Sequence, residues 1–70
     1  MGDDMQSKMR ELRKQQKMSF KELSLRSQVS VAHLRRVEKG ECDPTLTTML
    51  KIAWGLRKEV WEVFGTQKTE

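Results

Sequence analysis

The chain has 70 residues, 34% of them charged and 36% hydrophobic, with a formal net charge of +4. A chain of this length leaves little room for both a core and a deep catalytic pocket, which argues against an elaborate enzyme. Its apolar runs are too short to span a membrane, Asp3 and Asp4 do not fit the basic start of a secretory signal, and a single Cys excludes an internal disulfide and suits a reducing cytosol.

Apolar residues recur at helical spacing from about residue 5 to 64, so one folded all-α domain is expected over residues 1–70, with a polar tail at 66–70. Met5, Met9 and Leu12 stand at i, i+4 and i+7, which predicts a first helix from about Asp4 to Gln16. Ser19 is placed to cap a second helix, and Glu22 three residues later completes a capping box. That helix is expected to turn Phe20, Leu23 and Ser24 inward and to end near Ser27. Gln28 and Val29 form a very short link to Ser30, which can cap a third helix with Leu34 and Val37 inward and Gly40 as its stop. A fourth helix starts at Thr45, or at Asp43 with Pro44 in its first turn. Its expected apolar face is Leu46, Met49, Leu50, Ala53 and Leu56, with a break at Gly55 and Arg57. A fifth helix follows from about Lys58 to Phe64, with Val60, Val63 and Phe64 inward and Gly65 at its end. No strand alternation or internal repeat appears.

Charge is unevenly spread. Residues 8–39 hold ten basic side chains against three acidic ones, whereas residues 40–70 hold four against five. A positive stretch of this kind attracts polyanions, nucleic acid first among them; the plain alternative is a solvated, charge-rich surface. The same stretch holds the two helices joined around Val29. So short a turn forces a steep crossing over a shared core, with Ser24 small enough for it and Val29, Leu34 and Val37 beneath. This is helix-turn-helix spacing, in which the second helix enters the major groove of DNA.

With Leu34 and Val37 inward, helical geometry turns Ala32, Arg36 and Lys39 outward, lets Val31 and Arg35 reach out, and leaves His33 on a flank. Val31 and Ala32 are small enough for close approach and can touch thymine methyl groups. Arg35 or Arg36 can donate two hydrogen bonds to guanine. Lys39, with Lys14, Lys17, Lys21 and Arg26, can contact phosphates, and His33 is in reach of them from its flank.

Taken together, Met9 to Lys14, Leu23 to Glu38 with Gly40, Pro44-Thr45-Leu46 and Met49 to Ala53 resemble the lambda-repressor/Cro-like, Xre-type helix-turn-helix regulators. The resemblance covers about residues 5–64. It implies a five-helix domain that binds duplex DNA, usually as a dimer on a partly palindromic operator. Its base-reading positions fall on Val31, Ala32, Arg35 and Arg36. It also implies a buried, structural ion pair between Arg13 and Glu38, with one edge of Arg13 available to phosphate. Four positions depart from the pattern. Phe20 stands where Gln often contacts phosphate and supports a base-reading side chain, so that polar contact is lost. Gln28 replaces the usual turn Gly and must take an unusual backbone angle or change the turn. Glu41, Cys42 and Asp43 make a usually basic loop acidic. Lys58 stands where an apolar residue is favoured.

His33 and Cys42 are the sole residues of their kinds, nine positions apart, and make neither a zinc site nor a nucleophile pair. No cofactor, metal or small-molecule effector is implied. Trp54 and Trp61 are usually polar positions in the family. They can form an exposed aromatic patch with Val60 and Phe64, a self-association surface giving a homodimer, or they can fold back onto the core. Leu25 also looks outward. The leading expectation is therefore a small repressor of cytoplasmic location, nucleoid-associated if its source is bacterial or phage. Regulation would come through concentration, dimerisation or a protein partner. The alternative is a protein-interaction adaptor or antitoxin-like module built on the same fold.

Overall fold

The computed structural model describes residues 8–65, which form five helices and no strand. They are α1 (Met9–Gln15), α2 (Phe20–Ser27), α3 (Val31–Lys39), α4 (Leu46–Leu56) and α5 (Val60–Phe64). The expected helix start at Asp4, and Met5, lie outside the described residues. One core joins all five helices. It consists of Met9, Met18, Leu23, Val29, Leu34, Val37, Ile52, Ala53, Leu56 and Val63, with Leu12, Phe20, Cys42, Val60 and Phe64 packed at its margin.

The caps follow from the residues at the helix ends. The hydroxyls of Ser19, Ser30 and Thr45 accept from the backbone N–H of Glu22, His33 and Thr48 at 3.1, 3.1 and 3.2 Å. Thr45, and not Asp43, is thus the start of α4. The Glu22 carboxylate lies 3.7 Å from Arg26, one turn on. α5 begins at Val60 and not near Lys58, because Glu59 is its cap and donates its own N–H to Glu62 Oε2 at 3.0 Å.

Three helices end in one way. Past α1, α3 and α4, the residues Lys17, Gly40 and Arg57 take left-handed angles with φ of 55°, 80° and 61°. In each case the next residue reaches back five positions to a terminal carbonyl: Met18 N–H to Arg13 O at 2.9 Å, Glu41 to Arg36 at 2.8 Å, Lys58 to Ala53 at 2.9 Å. That turn carries Met18 into the core, a role its sequence position does not announce. It also accounts for the apolar preference at position 58, since the residue after such a cap commonly packs back on its helix.

The α2–α4 crossing corrects two expectations. Gly55 lies inside α4, buried, and a Cβ there would stand 2.9 Å from Leu23 Cδ1, 3.0 Å from Ser27 Cβ and 3.2 Å from Ser27 N. Ser27, 3% exposed, is the small residue of α2 at this contact with α4, and Ser24, expected inward at the crossing with α3, is half-buried. Close approach at Gly55 rotates the buried stripe of α4 onto Ile52, Ala53, Gly55 and Leu56. Leu46 and Leu50, expected inward, are therefore 63% and 51% exposed, and Met49 is half-buried. The first and last helices are pinned by polar contacts as well. Lys8 N–H donates to Val63 O at 2.6 Å, and Gln16 Nε2 to Leu56 O at 2.8 Å.

Candidate nucleic-acid interface

α3 is held from behind. Leu34 is fully buried and Val37 is 6% exposed, so one stripe of the helix is fixed in the core. The turn that delivers α3 is equally determined. Gln28 takes the left-handed angles φ 64°, ψ 31°, and its N–H donates to Ser24 O at 2.7 Å. Val29 is then buried, and its N–H finds the Ser27 hydroxyl at 3.3 Å. Gln28 therefore adopts the left-handed angle outright.

The opposite stripe faces outward. Ala32, Arg35, Arg36 and Lys39 are exposed, and Val31 and His33 are half-buried. Lys14, Lys17 and Lys21, at the end of α1 and the start of α2, are exposed as well, and so is Arg26 beside Glu22. The start of α3 borders the loop to α4: Ala32, His33 and Arg36 line one shallow cleft with Cys42, Asp43 and Thr45. An acid thus stands close to one arginine of the outward stripe. His33 and Cys42 share that cleft, but no group of three or more His, Cys, Asp or Glu side chains is placed to hold a metal ion among the described residues.

Arg13 and Glu38 tie α1 to α3. Arg13 Nε and Nη2 donate to Glu38 Oε2 and Oε1, each at 3.0 Å, with the side chains only 12% and 9% exposed. Arg13 Nη1 donates to Met18 O at 3.0 Å, and the guanidinium lies 4.1 Å from the centroid of the Phe20 ring. Bidentate geometry with the third nitrogen also bonded is what helps an ion pair persist out of water. Each of the three Arg13 nitrogens makes one hydrogen bond, which leaves one N–H on Nη1 and one on Nη2. Arg35 also lies over the Phe20 ring, 5.5 Å from its centroid. From the sequence, Phe20 is expected to be a core residue and a lost polar contact. The approach of both arginines to this ring is not legible in the sequence, since Phe20 and Arg35 are fifteen positions apart and only the steep crossing brings them together.

The four residues expected at a self-association surface are divided. Trp54 and Trp61 are 74% and 59% exposed, while Val60 and Phe64 are half-buried against the core margin. Trp54 shares shallow clefts with Leu25 and with Leu50, and Trp61 lines neither of them. The tryptophans do not fold back onto the core.

A family model described as helix-turn-helix matches residues 9–59, from the first residue of α1 to the cap of α5. The chain belongs to the Xre/lambda-repressor-like helix-turn-helix family. No curated protein matches it. The fold is that of the family: five helices, with α2 and α3 as the helix-turn-helix pair. Members are DNA-binding regulators and generally not enzymes. No helix of the described residues is long and apolar enough to cross a membrane.

Proposed function

We propose that this helix-turn-helix protein is a sequence-specific transcriptional regulator, a small cytoplasmic repressor that reads a partly palindromic operator through α3 in the major groove. One observation carries the reading. The exposed stripe of α3 is small at its start and cationic toward its end, and Leu34 and Val37 fix its opposite side in the core. Val31 and Ala32 approach the bases, Arg35 and Arg36 donate to them, and Lys14, Lys17, Lys21, His33 and Lys39 meet phosphates. Arg13 sets the angle between α1 and α3 through Glu38 and offers its remaining N–H groups to phosphate. The whole chain works as one domain. It acts as a homodimer through the outer face of α4 and α5, with Trp54 and Trp61 at its centre and Val60 and Phe64 beside them. The two α3 helices would then stand about one DNA turn apart, roughly 34 Å.

Selection of bound duplexes from a random pool tests this directly. Enriched inverted repeats are the expected outcome, with binding that weakens steeply as salt rises. On the selected operator, Arg36→Ala relaxes one base preference by about 1–3 kcal/mol, whereas Lys21→Ala weakens all sequences alike. Absence of duplex binding even in low salt would remove the proposal. A second reading, a protein-interaction adaptor, is favoured by the exposure of Leu25, Leu46, Leu50 and Trp54. It predicts that outcome.

A further inference from the structure

We infer that Phe20 is a positioning residue for base reading, holding the Arg35 guanidinium by its face so that its edge stays free for a base. The inference rests on the proposal that α3 reads DNA. Phe20 opens α2 directly after its Ser19 cap, and its ring is half-buried at the core margin. Arg13 lies over that ring at 4.1 Å and Arg35 at 5.5 Å. The two arginines differ in what they have left to give. Arg13 spends its three nitrogens on Glu38 and Met18. Arg35 is exposed on the outward side of α3.

A guanidinium is planar, and all five of its N–H donors point outward in that plane. Stacking therefore occupies the face and leaves the donating edge open, which is the edge that a guanine takes in bidentate contact. An unsupported arginine on a helix surface has many rotamers, and ordering them on binding weakens the contact. A ring beneath the guanidinium removes part of that loss before DNA arrives. The ring itself cannot drift, because Arg13 lies against it and is fixed by Glu38. The order of support runs from Glu38 through Arg13 and Phe20 to Arg35, from the core to the reading edge. An aromatic face thereby takes over the support that a polar side chain would give at the start of α2.

Two measurements on the full chain test this. In the free protein, the side-chain δ-methylene protons of Arg35 are expected to show an upfield ring-current shift in NMR spectra, and Phe20→Leu abolishes it. In competition binding against single base-pair variants of a selected operator, Arg35→Ala first locates the base pair that Arg35 reads. Phe20→Leu is then expected to lose about two- to fivefold of the preference at that base pair and little elsewhere, the size of an exposed cation–π contact. Phe20→Tyr, which keeps the ring, retains the preference.

Equal weakening on every duplex by Phe20→Leu, with the preference at that base pair intact, would overturn the inference and leave DNA reading standing. An Arg35 without ring-current shift in the wild-type protein would overturn it too, and that result needs no variant to fold. A wild-type protein that binds no duplex in low salt would remove both the inference and the function beneath it.

Discussion

α3 and α4 lean on one core, yet they turn different chemistry outward. α3 exposes Ala32, Arg35, Arg36 and Lys39, and α4 exposes Leu46, Leu50 and Trp54. A cationic stripe is well solvated in water and gains only when a polyanion replaces its counterions. An apolar stripe is unfavourable in water from the start, and any surface that covers it gains about 25 cal/mol for each Å² buried. The two helices thus offer surfaces of different kinds, cationic on one side and apolar on the other, and under the proposed function the first meets DNA and the second protein. The comparison also has an internal side. The α1–α3 contact is polar and directional, centred on Arg13 and Glu38, whereas the α2–α4 contact is steric, centred on Gly55 and Ser27.

The polar contact should give the largest effect when broken. Glu38→Ala leaves the Arg13 guanidinium 12% exposed with only Met18 O and the Phe20 ring for company. Removing one partner of a mostly buried pair costs about 3 kcal/mol or more. A domain of this size has about twice that in total stability, at ~0.1 kcal/mol per residue. Urea unfolding followed by circular dichroism should show the midpoint collapse. A loss below about 1 kcal/mol would place the pair with ordinary surface ion pairs and erase the polar half of the comparison.

The apolar face is tested next. Trp61→Ala and Trp54→Ala should each leave helicity intact, since both side chains are more than half exposed. If the α4–α5 face is the dimer contact, either change should weaken the dimer by about 2 kcal/mol, the size of an interface hot spot, and lower operator affinity with it. Sedimentation that shows the same monomer for wild type and both variants would strike out the homodimer. A loss with Trp54→Ala alone would move the contact toward Leu25 and Leu50, whose clefts Trp54 shares and Trp61 does not.

The steric contact gives a smaller effect. Gly55→Ala puts a Cβ at 2.9–3.2 Å from Leu23 and Ser27, and one of those atoms is a backbone nitrogen that cannot swing away. Overpacking of this kind costs about 1–3 kcal/mol, and alanine recovers about 1 kcal/mol through its helix propensity. A net loss of about 1–2 kcal/mol is expected in the same urea experiment. A stabilised Gly55→Ala protein would mean that α2 and α4 can separate at no cost, and that the rotation exposing Leu46 and Leu50 has another cause.

These contacts also divide what the sequence shows from what it hides. Local signals were legible. Ser19, Ser30 and Gly40 mark helix ends through their own chemistry, and Leu34 and Val37 set the inward side of α3 by spacing alone, which fixed the outward side as well. The Arg13–Glu38 pair became readable only through the family resemblance, because nothing local links positions twenty-five apart. What failed was tertiary. The apolar side chains of α4 span more than half of its circumference, so periodicity offers two stripes, and only the approach of Ser27 to Gly55 selects the one through Ile52. Met18 enters the core because Lys17 adopts a left-handed angle that its residue type does not advertise. The Phe20–Arg35 contact needs both the turn at Gln28 and the crossing of α2 with α3.

That turn supplies the smallest effect and the most direct check on the α2–α3 geometry. Gln28 holds φ 64° and ψ 31°, where an L-residue with a Cβ is strained by about 1–2 kcal/mol and glycine is not. Gln28→Gly relieves that strain but also gives the unfolded chain more freedom, worth about 0.4–1 kcal/mol in the opposite sense. The net expectation is a gain of about 0.5–1 kcal/mol, a rise in Tm of several degrees for a domain of this size. Gln28 is exposed, so little packing is lost with its side chain. The substitution should leave the base preference of α3 unchanged, because glycine fits the existing turn without altering it. A gain in stability with an altered preference would show that the turn had shifted, and that Gln28 sets the angle of α3 as well as bearing the strain. A lower Tm would show that the left-handed angle is not the state of the turn in solution, and the placement of Phe20 against Arg35 would have to be redrawn with it.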